Sequence, residues 1–252
     1  MKTAIITGAS AGLGVEFVKQ LQENFPEVES VWLVARRVDR LEQVASQISG
    51  IEVRLLPLDL CDSSSFEALH IALDKVQPEV TLLVNNAGCG YLANLGESST
   101  ADQTRMVDLN IRALTAVTNE VIPYMIAGSN IINVSSIASF CPNPRMTVYS
   151  SSKAYVSAFT RGLSDELRER EIGVTAVCPG PMKTEFLDAG GITGNSKMFE
   201  TLPYCDPQKV VAGVYSAAKA GKVMYTPRAF FKFYRFVAKI LPHALVVKWA
   251  RT

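Results

Sequence analysis

Six short apolar runs, at residues 2–7, 30–35, 51–58, 80–84, 130–134 and 173–178, alternate with helical patterns along the chain. Runs that stay apolar at successive positions, rather than at every second one, suit strands buried on both faces. Strands separated by amphipathic crossovers pair in parallel. The alternation predicts an α/β architecture: one doubly wound parallel sheet of about seven strands, with helices on both faces. The seventh strand is the short run 222–226. No repeat, low-complexity tract or linker divides residues 1–226, which are expected to form a single domain.

The first run closes in Gly8-Ala-Ser-Ala-Gly12-Leu-Gly14, and a helical pattern follows with Val15, Val18, Leu21 and Phe25 on one side, stopping near Asn24 and Pro26. Glycines let backbone approach a pyrophosphate, and the helix N-terminus offers it free N–H groups. The spacing is Gly-x-x-x-Gly-x-Gly rather than the commoner Gly-x-Gly-x-x-Gly. A bound dinucleotide is the expectation. The second run ends in Ala35-Arg36-Arg37, where a carboxylate would otherwise bond the adenine ribose. Guanidinium suits a 2′-phosphate, which selects NADP(H) over NAD(H). The alternative is two solvated arginines opening a helix at 38–48, one paired with Asp39. Asp59, after the third strand, either bonds an adenine amino group or serves as a turn or cap residue. Asn85-Asn86-Ala87-Gly88 ends the fourth strand, where asparagine side chains can hold backbone.

A helix over 63–76 takes Ser64 or Ser65 as its cap, and a long helix runs from a Ser99 or Thr100 cap to about residue 127. Asn110 lies inside the latter, where its amide is unfavourable unless the side chain or a local kink has a task. The fifth strand ends at Ser135-Ser136, and a helix over 147–171 carries Tyr149 and Lys153. Four residues apart, those two share a helix face. An ammonium beside a phenol favours the phenolate and lowers a pKa of about 10. With Ser136 they could converge on one carbonyl oxygen; by itself the pair also reads as an exposed helix pair. Residues 182–205 lack clear periodicity and are expected to form a lid. Asp206-Pro207 caps a helix to about residue 220.

Only His70 and His243 are present, and neither sits in a motif. That argues against a Ser-His-Asp hydrolase and a histidine metal site. No metal is expected. A net charge of +1 gives no global field for nucleic acid. The scattered cysteines Cys61, Cys89, Cys141, Cys178 and Cys205 suit free thiols in a reducing compartment. Met1-Lys2 leads directly into strand, leaving no room for a signal peptide, so a cytoplasmic location is expected.

The tail, 227–252, differs from the body. No acidic residue follows Asp206, and Arg228, Lys232, Arg235 and Lys239 recur at helical spacing among Phe230, Phe233, Tyr234, Val237 and Leu241. It is expected to be a basic amphipathic helical extension, too often interrupted by charge to span a membrane. It either closes the pocket or a subunit interface, or lies on an anionic membrane surface.

Thr7-Gly8-Ala-Ser-Ala-Gly12-Leu-Gly14, Asn85-Asn86-Ala87-Gly88, Asn110, Ser136, Tyr149-x-x-x-Lys153 and Pro179-Gly180 together resemble the short-chain dehydrogenase/reductase family, in its order and spacing, over about residues 1–226. The resemblance implies a Rossmann-type sheet and hydride transfer between NADP(H) and a ketone or secondary alcohol. It makes Tyr149 the general acid in reduction and the base in oxidation. Lys153 bonds the nicotinamide ribose and lowers the pKa of Tyr149. Ser136 orients the substrate oxygen, and Asn110 bends its helix and holds a water that relays protons to Lys153. The cofactor falls against Gly8, Ser10, Gly12, Leu13, Gly14, Arg36, Arg37, Asp59, Leu60, Asn86, Ala87, Gly88, Tyr149, Lys153, Pro179, Gly180 and Thr184. Two features depart from common members. Ala11 stands where many NADP-dependent relatives carry a basic residue, so Arg36 and Arg37 must supply the phosphate preference. The tail is longer than in the shortest ketoreductases and looks more like those of hydroxysteroid and long-chain ketoacyl reductases.

Tyr91, Phe140, Met146, Phe186, Leu187, Met198 and Phe199 suggest an apolar substrate pocket. A hydroxysteroid or another bulky ketone is the first expectation, and a long-chain 3-oxoacyl thioester the second. A non-catalytic NADP(H)-sensing protein is a third, disfavoured because Asn110, Ser136, Tyr149 and Lys153 are all intact. Family members commonly pair through the helices bearing Asn110 and Tyr149, which implies a homodimer or homotetramer.

Overall fold

The computed structural model describes residues 1–249. The first half runs β1 (Lys2–Thr7), α1 (Gly12–Lys19), α2 (Leu21–Asn24), β2 (Ser30–Ala35), α3 (Val38–Ala45), β3 (Glu52–Pro57), α4 (Ser64–Val76) and β4 (Glu79–Asn85). Then come α5 (Thr100–Val107), α6 (Leu114–Val121), β5 (Met125–Val134), α7 (Thr147–Glu166) and β6 (Gly173–Val177). The chain closes with α8 (Glu185–Ala189), α9 (Lys197–Thr201), α10 (Pro207–Lys219), β7 (Met224–Tyr225), α11 (Ala229–Ile240) and α12 (His243–Trp249).

The seven strands form one parallel sheet in the order β3-β2-β1-β4-β5-β6-β7. Successive strand residues point to opposite faces. Ala4 and Ile6 therefore enter one core with Phe17, Leu33 and Tyr215, while Ile5 enters the other with Trp32, Leu69 and Leu83. Burial on both sides is why β1, β2 and β4 are apolar along nearly their whole length, whereas β3 at the sheet edge is only partly buried and carries Glu52 and Arg54. Fully burying a side chain such as Ile5 or Leu83 contributes about 1.5–3 kcal/mol. The order in which strands are added reverses between β1 and β4, and the crevice beyond their carboxyl ends is where such sheets bind ligands.

Several boundaries differ from expectation. The helix after Asn110 ends at Val121 because Pro123 cannot continue it; a 3₁₀ turn, Ile122–Tyr124, feeds β5 directly. β5 thus begins at Met125, with a register shift opposite Val80/Leu82. The helix bearing Tyr149 stops at Glu166, and a 3₁₀ turn with Glu171 in the left-handed region closes it. The helix after Arg37 stops at Ala45. Asp62, rather than Ser64 or Ser65, caps α4 by accepting from the Ser64 N–H at 3.0 Å. Asp206 caps α10 as expected, accepting from Gln208 N–H at 3.0 Å. The lid contains two short helices, α8 and α9. In the tail, Pro242 separates α11 from α12, and Phe231 is fully buried in the same core as Phe17 and Tyr215. No helix among the described residues is long and apolar enough to cross a membrane.

Candidate active site

Gly8 and Gly12 adopt positive φ, +65° and +52°, so the chain turns sharply from β1 into α1. The turn lies flush against the end of β4: a Cβ on Gly8 would stand 2.7 Å from Asn86 Nδ2 and 2.9 Å from Ala87 Cα. Asn86 locks this contact by donating from Nδ2 to the carbonyls of Thr7 and Gly8. Its N–H and that of Ala87 donate to Thr7 Oγ1. Gly14 stands beneath the turn, where a Cβ would fall 2.0 Å from the Gly8 carbonyl oxygen. No side chain caps the N-terminus of α1, leaving its first N–H groups facing the crevice.

Beyond β2, Arg36 Nη1 lies 3.9 Å from Asp59 Oδ2, and Arg105 Nη2 lies 3.5 Å from the same oxygen. Asp59 also accepts from the Cys61 N–H at 3.0 Å, so its turn role is realised. Arg37 Nη2 lies 3.1 Å from Glu185 Oε2 and 3.5 Å from Ser10 Oγ. The lid is thereby fastened to the end of β2.

Asn110 sits in a π-helical segment, Asp108–Ala113, between α5 and α6. Such a bulge turns a side chain out of the helical ladder. Its Oδ1 accepts from the Cys89 N–H, and its Nδ2 donates to the Cys89 carbonyl (both 2.9 Å) and to Ser152 Oγ (3.0 Å). A Cβ on Gly88 would meet Asn110 Oδ1 at 3.0 Å and Lys153 Nζ at 3.3 Å, so the amide and the amine converge there.

Ser136 lies two residues beyond β5, at the start of a 3₁₀ turn, and accepts the Ala138 N–H at Oγ, 3.1 Å away. Tyr149 and Lys153 share the inner face of α7, both buried. Lys153 Nζ donates to the Val134 carbonyl at 2.8 Å and stands 5.8 Å from the centre of the Tyr149 ring. Burial pushes the Tyr149 phenol up to about 12, against a lowering contribution from its hydrogen bond with Ser136. Burial pulls the Lys153 ammonium down to about 8. The expected lowering of Tyr149 by Lys153 is thus not found: desolvation sets the direction of the shift, and Nζ is committed to a backbone carbonyl. Phe186 packs its ring 5.7 Å from that of Tyr149.

One cavity of about 440 Å³ joins these parts. It is lined by Gly8, Ser10, Gly12, Leu13, Arg36, Arg37, Asp59, Leu60, Asn86, Ala87, Gly88, Ser136, Tyr149, Lys153, Pro179, Gly180 and Thr184. Tyr91, Met146, Phe186, Leu187, Met198 and Phe199 line it too. Gly14 and Asn110 support it from behind. Phe140 does not line it: a 3₁₀ turn, Ile137–Ser139, carries its ring toward Tyr234, 6.0 Å away, and Arg235. Tyr234, Arg105, Leu202 and Glu185 also face the cavity and were not expected from the sequence. Periodicity marks Tyr234 only as one aromatic among several, and Arg105 as a surface helix charge.

A parallel sheet with a glycine turn at its switch point, and a buried Tyr/Lys pair beside a strand-end serine, define a dinucleotide-dependent oxidoreductase. The tight turn, the open α1 N-terminus and the guanidiniums beyond β2 fit a nicotinamide dinucleotide. A family model for short chain dehydrogenase matches residues 2–191, and the chain belongs to that family. Sulfoacetaldehyde reductase 2 of Chromohalobacter salexigens is 35% identical over 188 residues, 72% of this chain and 73% of that protein. The very-long-chain 3-oxoacyl-CoA reductase of Anas platyrhynchos is 32% identical over 186 residues, 70% of this chain and 58% of that protein. The solved short-chain dehydrogenase from Sphingobium yanoikuyae in complex with NADPH superposes with a TM-score of 0.80 at 25% identity, covering 97% of this chain and 98% of that one.

Proposed function

We propose that the protein is an NADP(H)-dependent reductase of bulky hydrophobic ketones, with hydroxysteroid-type substrates first in line. The observation that carries this reading is the cavity itself. Its volume is that of a small-molecule site, its far wall is Tyr91, Met146, Phe186, Leu187, Met198 and Phe199, and Tyr149 lies against Phe186.

The reduced nicotinamide, when bound, supplies the hydride. The chain's own residues do the rest. The α1 N-terminus, with Gly12 and Leu13, receives the pyrophosphate. Arg36, Arg37 and Ser10 receive the 2′-phosphate, and Asp59 with Leu60 borders the adenine. Asn86, Ala87, Gly88, Pro179, Gly180 and Thr184 border the nicotinamide half, with Lys153 at its ribose. Ser136 Oγ orients the substrate carbonyl, and Tyr149 Oη gives it a proton. Burial keeps the phenol protonated, so the proton that reduction consumes is in place at Oη. Asn110 fixes Cys89 and Ser152, and through them the position of the Tyr149 turn. Orientation of the carbonyl supplies much of the remaining acceleration.

A 3-oxoacyl thioester is the second reading. The basic tail beside the cavity, and the activity for which the Anas platyrhynchos relative is named, favour it. The test is NADPH consumption with steroids, bile acids, 3-oxoacyl thioesters, sulfoacetaldehyde and simple ketones, repeated with NADH. Fastest turnover on a steroid with NADPH is expected. Preference for a small aldehyde would overturn the bulky-substrate reading, and flat traces throughout would overturn catalysis.

A further inference from the structure

Helix α11 has two faces of different kinds. Its inner face belongs to the protein: Phe231 and Ala238 are buried, Tyr234 lines the cavity, and a Cβ on Gly180 would stand 2.2 Å from the Phe231 ring. Its outer face is apolar yet open to solvent. Phe230 is 54% exposed, Phe233 67%, Phe236 61% and Ile240 62%. At 3.6 residues per turn these four side chains occupy one arc of about 120°. The exposed Lys232 and Lys239 border that arc on one side. A contiguous apolar patch rimmed by charge marks a contact surface rather than scattered surface hydrophobics.

Charge narrows what the contact can be. After Asp206 the chain carries nine Lys and Arg and no Asp or Glu, although its net charge is only +1. An antiparallel two-fold contact with a second copy would bring the lysines of one α11 beside those of the other, which is unfavourable. The complementary partner is anionic at its surface and apolar just beneath. We propose that the outer face of α11 docks on an anionic lipid bilayer. The three phenylalanine rings and Ile240 enter the boundary between headgroups and acyl chains, and Lys232 and Lys239 reach the lipid phosphates. With 12 residues the helix is about 18 Å long, so it lies in the interface and does not cross.

Sedimentation of the full chain with vesicles tests this without reference to any enzymatic turnover. Vesicles of phosphatidylcholine alone are compared with vesicles also containing phosphatidylglycerol. Binding at least ~10-fold stronger to the anionic vesicles, weakened by added salt, is expected. The pair Phe233→Ser with Ile240→Ser, and the pair Lys232→Gln with Lys239→Gln, should each lower binding by ~10-fold or more while leaving the melting temperature unchanged. Equal partition onto both vesicle types, no partition onto either, or full binding by the serine variant would overturn the proposal. So would a wild-type dimer that the serine variant loses without any vesicle binding, since a second copy would then occupy the face.

Discussion

Lys153 Nζ donates to the carbonyl of Val134 across 2.8 Å, tying the middle of α7 to the last residue of β5, two positions before Ser136. Ser135 Oγ returns the tie by donating to the Lys153 carbonyl, also at 2.8 Å. The helix that carries Tyr149 and the segment after β5 that carries Ser136 are therefore held together by bonds to main-chain atoms. A buried ammonium with one carbonyl partner is costly, and its cost depends on pH.

That dependence is measurable. Burial lowers Lys153 from its ordinary 10.5 to about 8. Between those values the unfolded chain holds a proton that the folded chain has released, so stability rises with pH through that window. Below about 8 both states are protonated and the penalty is complete. Thermal melts of wild type and Lys153→Met, from about pH 7 to about pH 10, should show wild type gaining on the variant above about pH 8. Parallel curves would mean that Lys153 is not desolvated. Tyr149, raised to about 12 by burial, acts in the opposite sense only above about pH 10 and is present in both proteins.

Arg36 is the guanidinium with the weaker tether, 3.9 Å from Asp59 and with 59% of its side chain exposed. Arg36→Ala should weaken NADPH by ~10- to 100-fold, the scale of a charge-assisted bond, and leave NADH within about twofold. Titrating both cofactors by fluorescence checks this; equal losses would remove the phosphate role.

Glu185 holds Arg37 at 3.1 Å and approaches Arg40 at 3.9 Å, so its carboxylate competes for the cation proposed to meet the 2′-phosphate. Glu185→Gln should tighten NADPH by ~2- to 5-fold, the scale of an exposed ion pair, with no change for NADH. Unchanged NADPH affinity would show that Arg37 and the phosphate do not meet.

Gly90 lets Phe186 and Tyr149 close over it: an added Cβ would fall 2.7 Å from Phe186 Cζ and 2.9 Å from Tyr149 Cδ2. Gly90→Ala should displace both rings and lower kcat/KM by ~10- to 100-fold, as misplacement of about 1 Å does, while cofactor affinity holds. Steady-state kinetics beside a cofactor titration separates the two.

The sheet was legible because its inner strands β1, β2 and β4 are apolar on both faces, so each run announces itself without alternation. β5 was legible only from residue 130, since its opening half contains Gly128 and Ser129 and follows the 3₁₀ turn that holds Pro123. The residues gathered at the crevice beyond β1 and β4 could be read because chain order fixes which strand ends meet at the switch point. The substrate side could not be read as well. A single 3₁₀ turn sends Phe140 out of the cavity, and Glu185 meets Arg37 from 148 residues away. The net direction of the Tyr149 shift also escaped the spacing: four residues place an amine near a phenol but say nothing of how dry both are.

In the proposed reaction Tyr149 delivers the proton. That role is tested most directly by the rate of NADPH oxidation with a bulky hydrophobic ketone, in wild type and Tyr149→Phe, alongside NADPH affinity. Loss of ~10²- to 10⁴-fold in kcat with near-normal NADPH binding is the expected result. Turnover by Tyr149→Phe at the wild-type rate would contradict it.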